Sequence, residues 1–113
     1  ISSSTTERST IHNRASGKIT ITGGTIISTN NYAIYNESGT LTIGEKDGSI
    51  NRTTPVIQGK TYGIVANNTY KFYDGIIKGG TYHVGKTSNT GNTPTVTNDI
   101  NETKITEIEE CYT

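Results

Sequence analysis

The sequence predicts an all-β fold, a short parallel β-solenoid of about four to five irregular coils. Three observations carry that prediction. The apolar residues are of a kind that suits strands: Ile dominates, Leu occurs once (Leu41), Met and Trp are absent, and Thr is the commonest residue type. Ile, Thr and Tyr fit a pleated surface, while the 13 Gly and the many Asn supply tight turns. Runs with a period of two, at Ile19/Ile21, Leu41/Ile43, Tyr62/Ile64, Tyr70/Phe72 and Tyr82/Val84, read as short strands with one face buried. Finally, two short motifs recur in alternation along the chain.

The first motif is Ser16-Gly17-Lys18-Ile19-Thr20-Ile21, which returns as Ser38-Gly39-Thr40-Leu41-Thr42-Ile43. Asn68-Thr69-Tyr70-Lys71-Phe72 keeps its alternation with aromatic rings at the apolar positions. The second motif, an aliphatic residue and Ile followed by Tyr-x-aliphatic, occurs three times. Its copies are Ile26-Ile27 with Tyr32-Ala33-Ile34, Val56-Ile57 with Tyr62-Gly63-Ile64, and Ile76-Ile77 with Tyr82-His83-Val84. Gly23-Gly24, Asp47-Gly48 and Asp74-Gly75 mark the turns between motifs. Like residues at matched positions are what stacked parallel coils require, whereas an antiparallel sandwich or meander needs no such matching. A right-handed sense follows from the general handedness of parallel crossovers and from nothing in the residues themselves.

Taken in order, residues 1–16 form a partial coil, because Ile11-His12-Asn13 precedes Ser16-Gly17 as Ile34-Tyr35-Asn36 precedes Ser38-Gly39. Coils then run over 17–37, 38–67 and 68–88. The second of these is lengthened by an insertion around Asn51-Arg52-Thr53-Thr54-Pro55. Residues 89–113 hold a loop, Asn89 to Pro94, followed by a terminal coil or cap with a strand starting at Thr95-Val96-Thr97. Ends without an apolar capping pattern leave strand edges open, so the chain is expected either to be a segment of a longer protein or to stack on copies of itself.

Composition narrows function by exclusion. With 113 residues, ten basic and ten acidic side chains and no basic run, the chain has no electrostatic footprint for nucleic acid or for an anionic membrane. Hydrophobic residues make up 29%, and no apolar stretch approaches a membrane span. The single Cys111 excludes an internal disulfide framework. The chain begins at Ile1, as a processed or excised piece would, with no leader visible.

The units Ser16 to Asn36 and Ser38 to Asn67, together with Lys71-Phe72-Tyr73-Asp74-Gly75-Ile76-Ile77-Lys78-Gly79, resemble the β-helical, adhesin-like surface proteins of Gram-positive gut-type bacteria. Those proteins string together S/N-G-x-φ-T-I, a Gly turn and Y-A/G-I-x-N, where φ is aliphatic. The resemblance spans residues 16–88. It implies an extracellular or wall-associated, adhesive or fibre-like role, and it supplies no catalytic residue. The insertion at Asn51 to Pro55 departs from the strict period.

Candidate chemistry is sparse. A polysaccharide-active β-helix needs clustered carboxylates, yet Asp47 and Asp74 both precede Gly and read as turn residues accepting local backbone bonds. His12 lacks a partner at ligand spacing and His83 is expected to face outward, so no metal, cofactor or catalytic residue is assigned. Phosphate-loop, nucleophile-elbow and Ca²⁺ nonapeptide patterns do not occur. Tyr32, Tyr62 and Tyr82, sharing parity with Ile34, Ile64 and Val84, are expected to form interior structural columns. Tyr35, Tyr73, Asn51 and Arg52 are the candidates for ligand contact. Four glycosylation sequons begin at Asn36, Asn51, Asn67 and Asn101, and turn chemistry accounts for each. The expectation is a non-enzymatic extracellular structural or adhesive solenoid that self-associates or joins neighbouring coils. A carbohydrate-binding module for a surface glycan is the alternative, and a truncated polysaccharide-active domain the third reading.

Overall fold

A computed structural model describes residues 1–3, 9–83, 90–91 and 95–97. Among them the chain forms strands and no helix. In order the strands are β1 (Ser2–Ser3), β2 (Ile11–Asn13), β3 (Lys18–Ile21), β4 (Thr25–Ser28), β5 (Ile34–Asn36), β6 (Thr40–Ile43) and β7 (Val56–Gly59). They continue as β8 (Ile64–Ala66), β9 (Lys71–Phe72), β10 (Ile76–Lys78), β11 (Thr81–His83), β12 (Thr90–Gly91) and β13 (Thr95–Thr97). Each pairs in parallel with the strand three places along, giving a first sheet β1-β4-β7-β10-β13, a second β2-β5-β8-β11 and a third β3-β6-β9-β12. Every third strand returning to the same sheet is the arrangement of a parallel β-solenoid. β12 lies inside the stretch expected as a loop, and β13 coincides with the strand expected at Thr95.

Parallel pairing in register places like on like. Ile26, Ile57 and Ile77 form an inward row of the first sheet, Ile34 and Ile64 one of the second, and Ile21, Ile43 and Phe72 one of the third. These residues, with Leu41 and Tyr70, make the core, and nearly all are fully buried. Burying one such side chain contributes about 1.5–3 kcal/mol, so a small apolar fraction suffices when it is concentrated in rows.

The register corrects the alignment read from the motifs. Ile26 pairs with Ile57, not Val56, whereas Ile57 meets Ile77 and Val56 meets Ile76 as the motifs align them, with Val56 and Ile76 on the half-buried side. The larger difference lies at the corner between first and second sheets. β4 to β5 takes residues 29–33 and β7 to β8 takes 60–63, but β10 to β11 takes only Gly79 and Gly80. Both glycines have positive φ, +95° and +94°, which allows a reversal in two residues. Ile64 therefore pairs with Thr81, and Tyr82 with Val65. The expected partner Val84 lies outside the described residues, as does the side chain of His83, whose register partner is Ala66. Thr81 is fully buried, and its hydroxyl has no hydrogen-bond partner among the described residues.

Candidate functional site

The outer face of the second sheet and the corner before it carry five of the described aromatic rings, His12 included. At the corner preceding each of β5 and β8 the backbone comes close to the first sheet. A Cβ at Gly63 would lie 2.6 Å from Ile77 Cγ2 and 2.9 Å from the Ile57 carbonyl. Only a very small residue fits there, and the equivalent Ala33 is completely buried. The bend breaks the strand alternation, so Tyr32 and Tyr62 do not follow Ile34 and Ile64 inward. Both are half-buried, as is Tyr82, and the interior column expected from parity is corrected to a surface one.

The rings do form a ladder. Tyr32 and Tyr62 have centroids 6.1 Å apart, and Tyr62 and Tyr82 5.4 Å, tilted by 54° and 40°. Tyr35, on the outward side of β5, meets Tyr32 edge-on at 6.2 Å and stacks on His12 of β2 at 4.8 Å. Five rings thus run continuously across the sheet. Such pairs contribute about 0.5–1.5 kcal/mol each beyond area burial, which makes the ladder structural as well as accessible. A polar margin accompanies it. His12 Nε2 lies 2.7 Å from Glu37 Oε1, Arg14 Nε lies 4.0 Å from the same oxygen, and Asn67 Nδ2 donates to the Tyr35 hydroxyl at 3.4 Å. Rings flanked by a carboxylate, an amide and a guanidinium are suited to stacking on the C–H faces of sugars and bonding their hydroxyls.

The other candidates lie elsewhere. Tyr73 follows β9, and Asn51 and Arg52 belong to the exposed loop between β6 and β7, so these three share the corner from third to first sheet. Tyr35 is on the second sheet and does not join them. That corner is organised by Asp74. Its Oδ2 accepts the Glu45 N–H at 2.9 Å and its Oδ1 accepts the Asn51 N–H at 2.7 Å, which ties the start of the loop between β6 and β7 to its middle. Gly44, with φ +86°, lies so close that a Cβ would sit 2.6 Å from Asp74 Oδ2. Asp74 is thus a buried clamp across coils rather than the local turn residue expected. Asp47 is the local one: its Oδ1 accepts the Ser49 N–H at 3.1 Å and the Ser49 hydroxyl at 3.0 Å, and these bonds lower its pKa below 3.8. Asn51 Oδ1 accepts the backbone N–H and hydroxyl of Thr53 at 2.8 and 2.7 Å, a side-chain-closed turn.

Sequence reasoning missed a buried amide ladder. Asn13 Nδ2 donates to Asn36 Oδ1 at 2.8 Å, Asn36 Nδ2 donates to Asn68 Oδ1 at 2.8 Å, and Asn68 Nδ2 donates to the Gly39 carbonyl at 3.0 Å. Asn13 also reaches the Gly17 carbonyl at 3.1 Å. The available signal was Asn13 and Asn36 standing at matched places just before Gly17 and Gly39. Asn36 is fully buried, which removes its sequon as a surface acceptor in the folded chain. Asn101 and Cys111 lie outside the described residues. Among the described residues no three His, Cys, Asp or Glu side chains gather as metal ligands would. Comparison with protein-family models, curated proteins and solved structures finds no match for this chain.

Proposed function

We propose that the chain is a non-enzymatic, extracellular or wall-associated β-solenoid element, right-handed and of about four to five coils, that bears load or adheres and self-associates through its strand edges. The observation that carries this reading is the parallel, in-register pairing repeated in all three sheets, because the pairing that holds one coil to the next is equally open to another chain. The two carboxylates at the Gly turns, Asp47 and Asp74, serve backbone N–H groups, which favours a structural over an acid–base role. Negative-stain electron microscopy and light scattering across a concentration series test the reading. Filaments about one coil wide are expected, and particles that stay monomeric throughout would refute self-association.

A second reading is favoured by the ring ladder His12-Tyr35-Tyr32-Tyr62-Tyr82: a surface module for glycan, with Tyr35 as a contact. A glycan-array screen of intact chain against Tyr62→Ala tests it. Glycan binding that disappears with the ring supports the module, and equal binding by both proteins removes the ladder from consideration.

A further inference from the structure

The amide ladder has a direction. Asn13 gives its N–H to Asn36 and Asn36 gives its own to Asn68, so the donors point towards the C-terminal side. Asn13 stands first. It is only 4% exposed, and its Oδ1 receives no donor among the described residues. The apolar rows start unfinished at the same end: Ile11 and Ile19 are partly buried, whereas their register partners Ile34 and Leu41 are fully buried. Among the described residues the backbone edge there has no strand partner either. Gly17 and Ile21 carbonyls accept the Thr40 and Gly44 N–H groups, so odd-numbered residues of β3 face β6 and Lys18 and Thr20 face the free side. Ile11 N–H donates to Ala33 and the Asn13 carbonyl accepts from Glu37, so His12 directs its backbone groups to the free side of β2. Among the described residues an amide oxygen without a donor, two half-covered apolar rows and two strand edges without partners coincide on one surface, and a further parallel coil would cover the rows and pair the edges.

We infer that this N-terminal end of the solenoid is a docking surface for a second copy of the chain, with β11 of the incoming copy laid along β2 and β12 along β3. The inference rests on the self-association reading above and assigns it a place. β11 is the outermost described strand of the second sheet at the opposite end, and β12 of the third. In that arrangement β13 of the incoming copy falls beside β4, the position β1 holds in a single chain. The first sheet has five strands and the other two four, so one strand is surplus at each junction. β1, two residues long against three in β13, is the one displaced. Its pairing with β4 competes with assembly.

Two substitutions in the intact chain separate these statements. Thr20→Pro removes an N–H from the free side of β3 and leaves the β3–β6 bonds in place. Ser3→Pro weakens β1 and touches neither β2 nor β3. Sedimentation velocity over a concentration series reads association, with circular dichroism and the urea midpoint confirming a folded chain. Thr20→Pro is expected to weaken association at least about tenfold, and Ser3→Pro to strengthen it by about the same factor. Association by Thr20→Pro equal to that of the unsubstituted chain would overturn this surface while leaving self-association standing. Unchanged or weaker association by Ser3→Pro would overturn the competition by β1. An unsubstituted chain that stays monomeric while Ser3→Pro associates, and loses that association on adding Thr20→Pro, supports the surface and refutes self-assembly of the intact chain. Monomers throughout would sink both.

Discussion

Replacing Asn36 by Ala tests the amide ladder at its centre. The side chain is fully buried, accepts from Asn13 at 2.8 Å and donates to Asn68 at 2.8 Å. Losing two such bonds costs about 1 kcal/mol each net of water. The neighbours do not suffer equally. Asn13 Nδ2 keeps the Gly17 carbonyl at 3.1 Å and the Thr40 carbonyl at 3.4 Å, but Asn68 Oδ1 loses the donor it had and is left partly desolvated. That unpaired acceptor adds about 1–2 kcal/mol, for a total of about 3–4 kcal/mol. Urea unfolding followed by circular dichroism measures the loss as a fall in midpoint at constant slope, and with a slope of about 1–3 kcal/mol/M the fall is about 1–4 M. The double substitution Asn36→Ala/Asn68→Ala closes the cycle, since it removes the orphaned Asn68 Oδ1, while the Gly39 carbonyl loses its donor in both Asn68 variants and that loss cancels; a coupling of at least about 0.5 kcal/mol is expected. A single-mutant loss under about 0.5 kcal/mol, or strict additivity in the cycle, would refute the ladder as a source of stability.

Further outcomes follow from the two corners and the turn. Asp74→Asn keeps the shape but offers an N–H₂ to a backbone N–H, so one of the two clamp bonds is lost; a loss of about 2–3 kcal/mol is expected, with faster hydrogen exchange at Glu45 and Asn51, and unchanged exchange there would count against the clamp. Gly44→Ala adds a Cβ against Asp74 at a positive φ and is expected to lower the thermal midpoint by several degrees, whereas an unchanged midpoint would mean the loop yields freely. Asp47 has a folded pKa below its ordinary 3.8, so its contribution is present above that value and is lost as pH falls through the lower, folded one. Asp47→Asn is therefore expected to lower stability slightly above pH 3.8, where the carboxylate contributes, and to flatten the acid limb below it, as pH-resolved urea midpoints would reveal. Tyr62→Leu removes ring contacts to Tyr32 and Tyr82 and is expected to cost about 1–3 kcal/mol, read as a drop in urea midpoint; no drop would mean the ring ladder is decorative.

The all-β class, the parallel repetition and the inward face of most strands were legible in the residues, because strand propensity and period-two burial are local properties. Ile19/Ile21, Leu41/Ile43 and Tyr70/Phe72 behave as their alternation predicts. The candidate site was legible only in pieces. Tyr35 lies on the ring ladder, but Tyr73, Asn51 and Arg52 lie at another corner, and His12, Glu37 and the amide ladder went unseen. Corner length is the physical reason. A corner of two residues or five leaves the local pattern of the flanking strands untouched, yet it shifts every later residue against the coil below. Gly79-Gly80 moves Thr81 rather than Val84 opposite Ile64, and the tight space at Ala33 and Gly63 turns the preceding tyrosines outward. Strands and their faces are written in neighbouring residues. Which strand meets which residue of the next coil is decided by contacts across coils, and these exist only once the chain has closed upon itself.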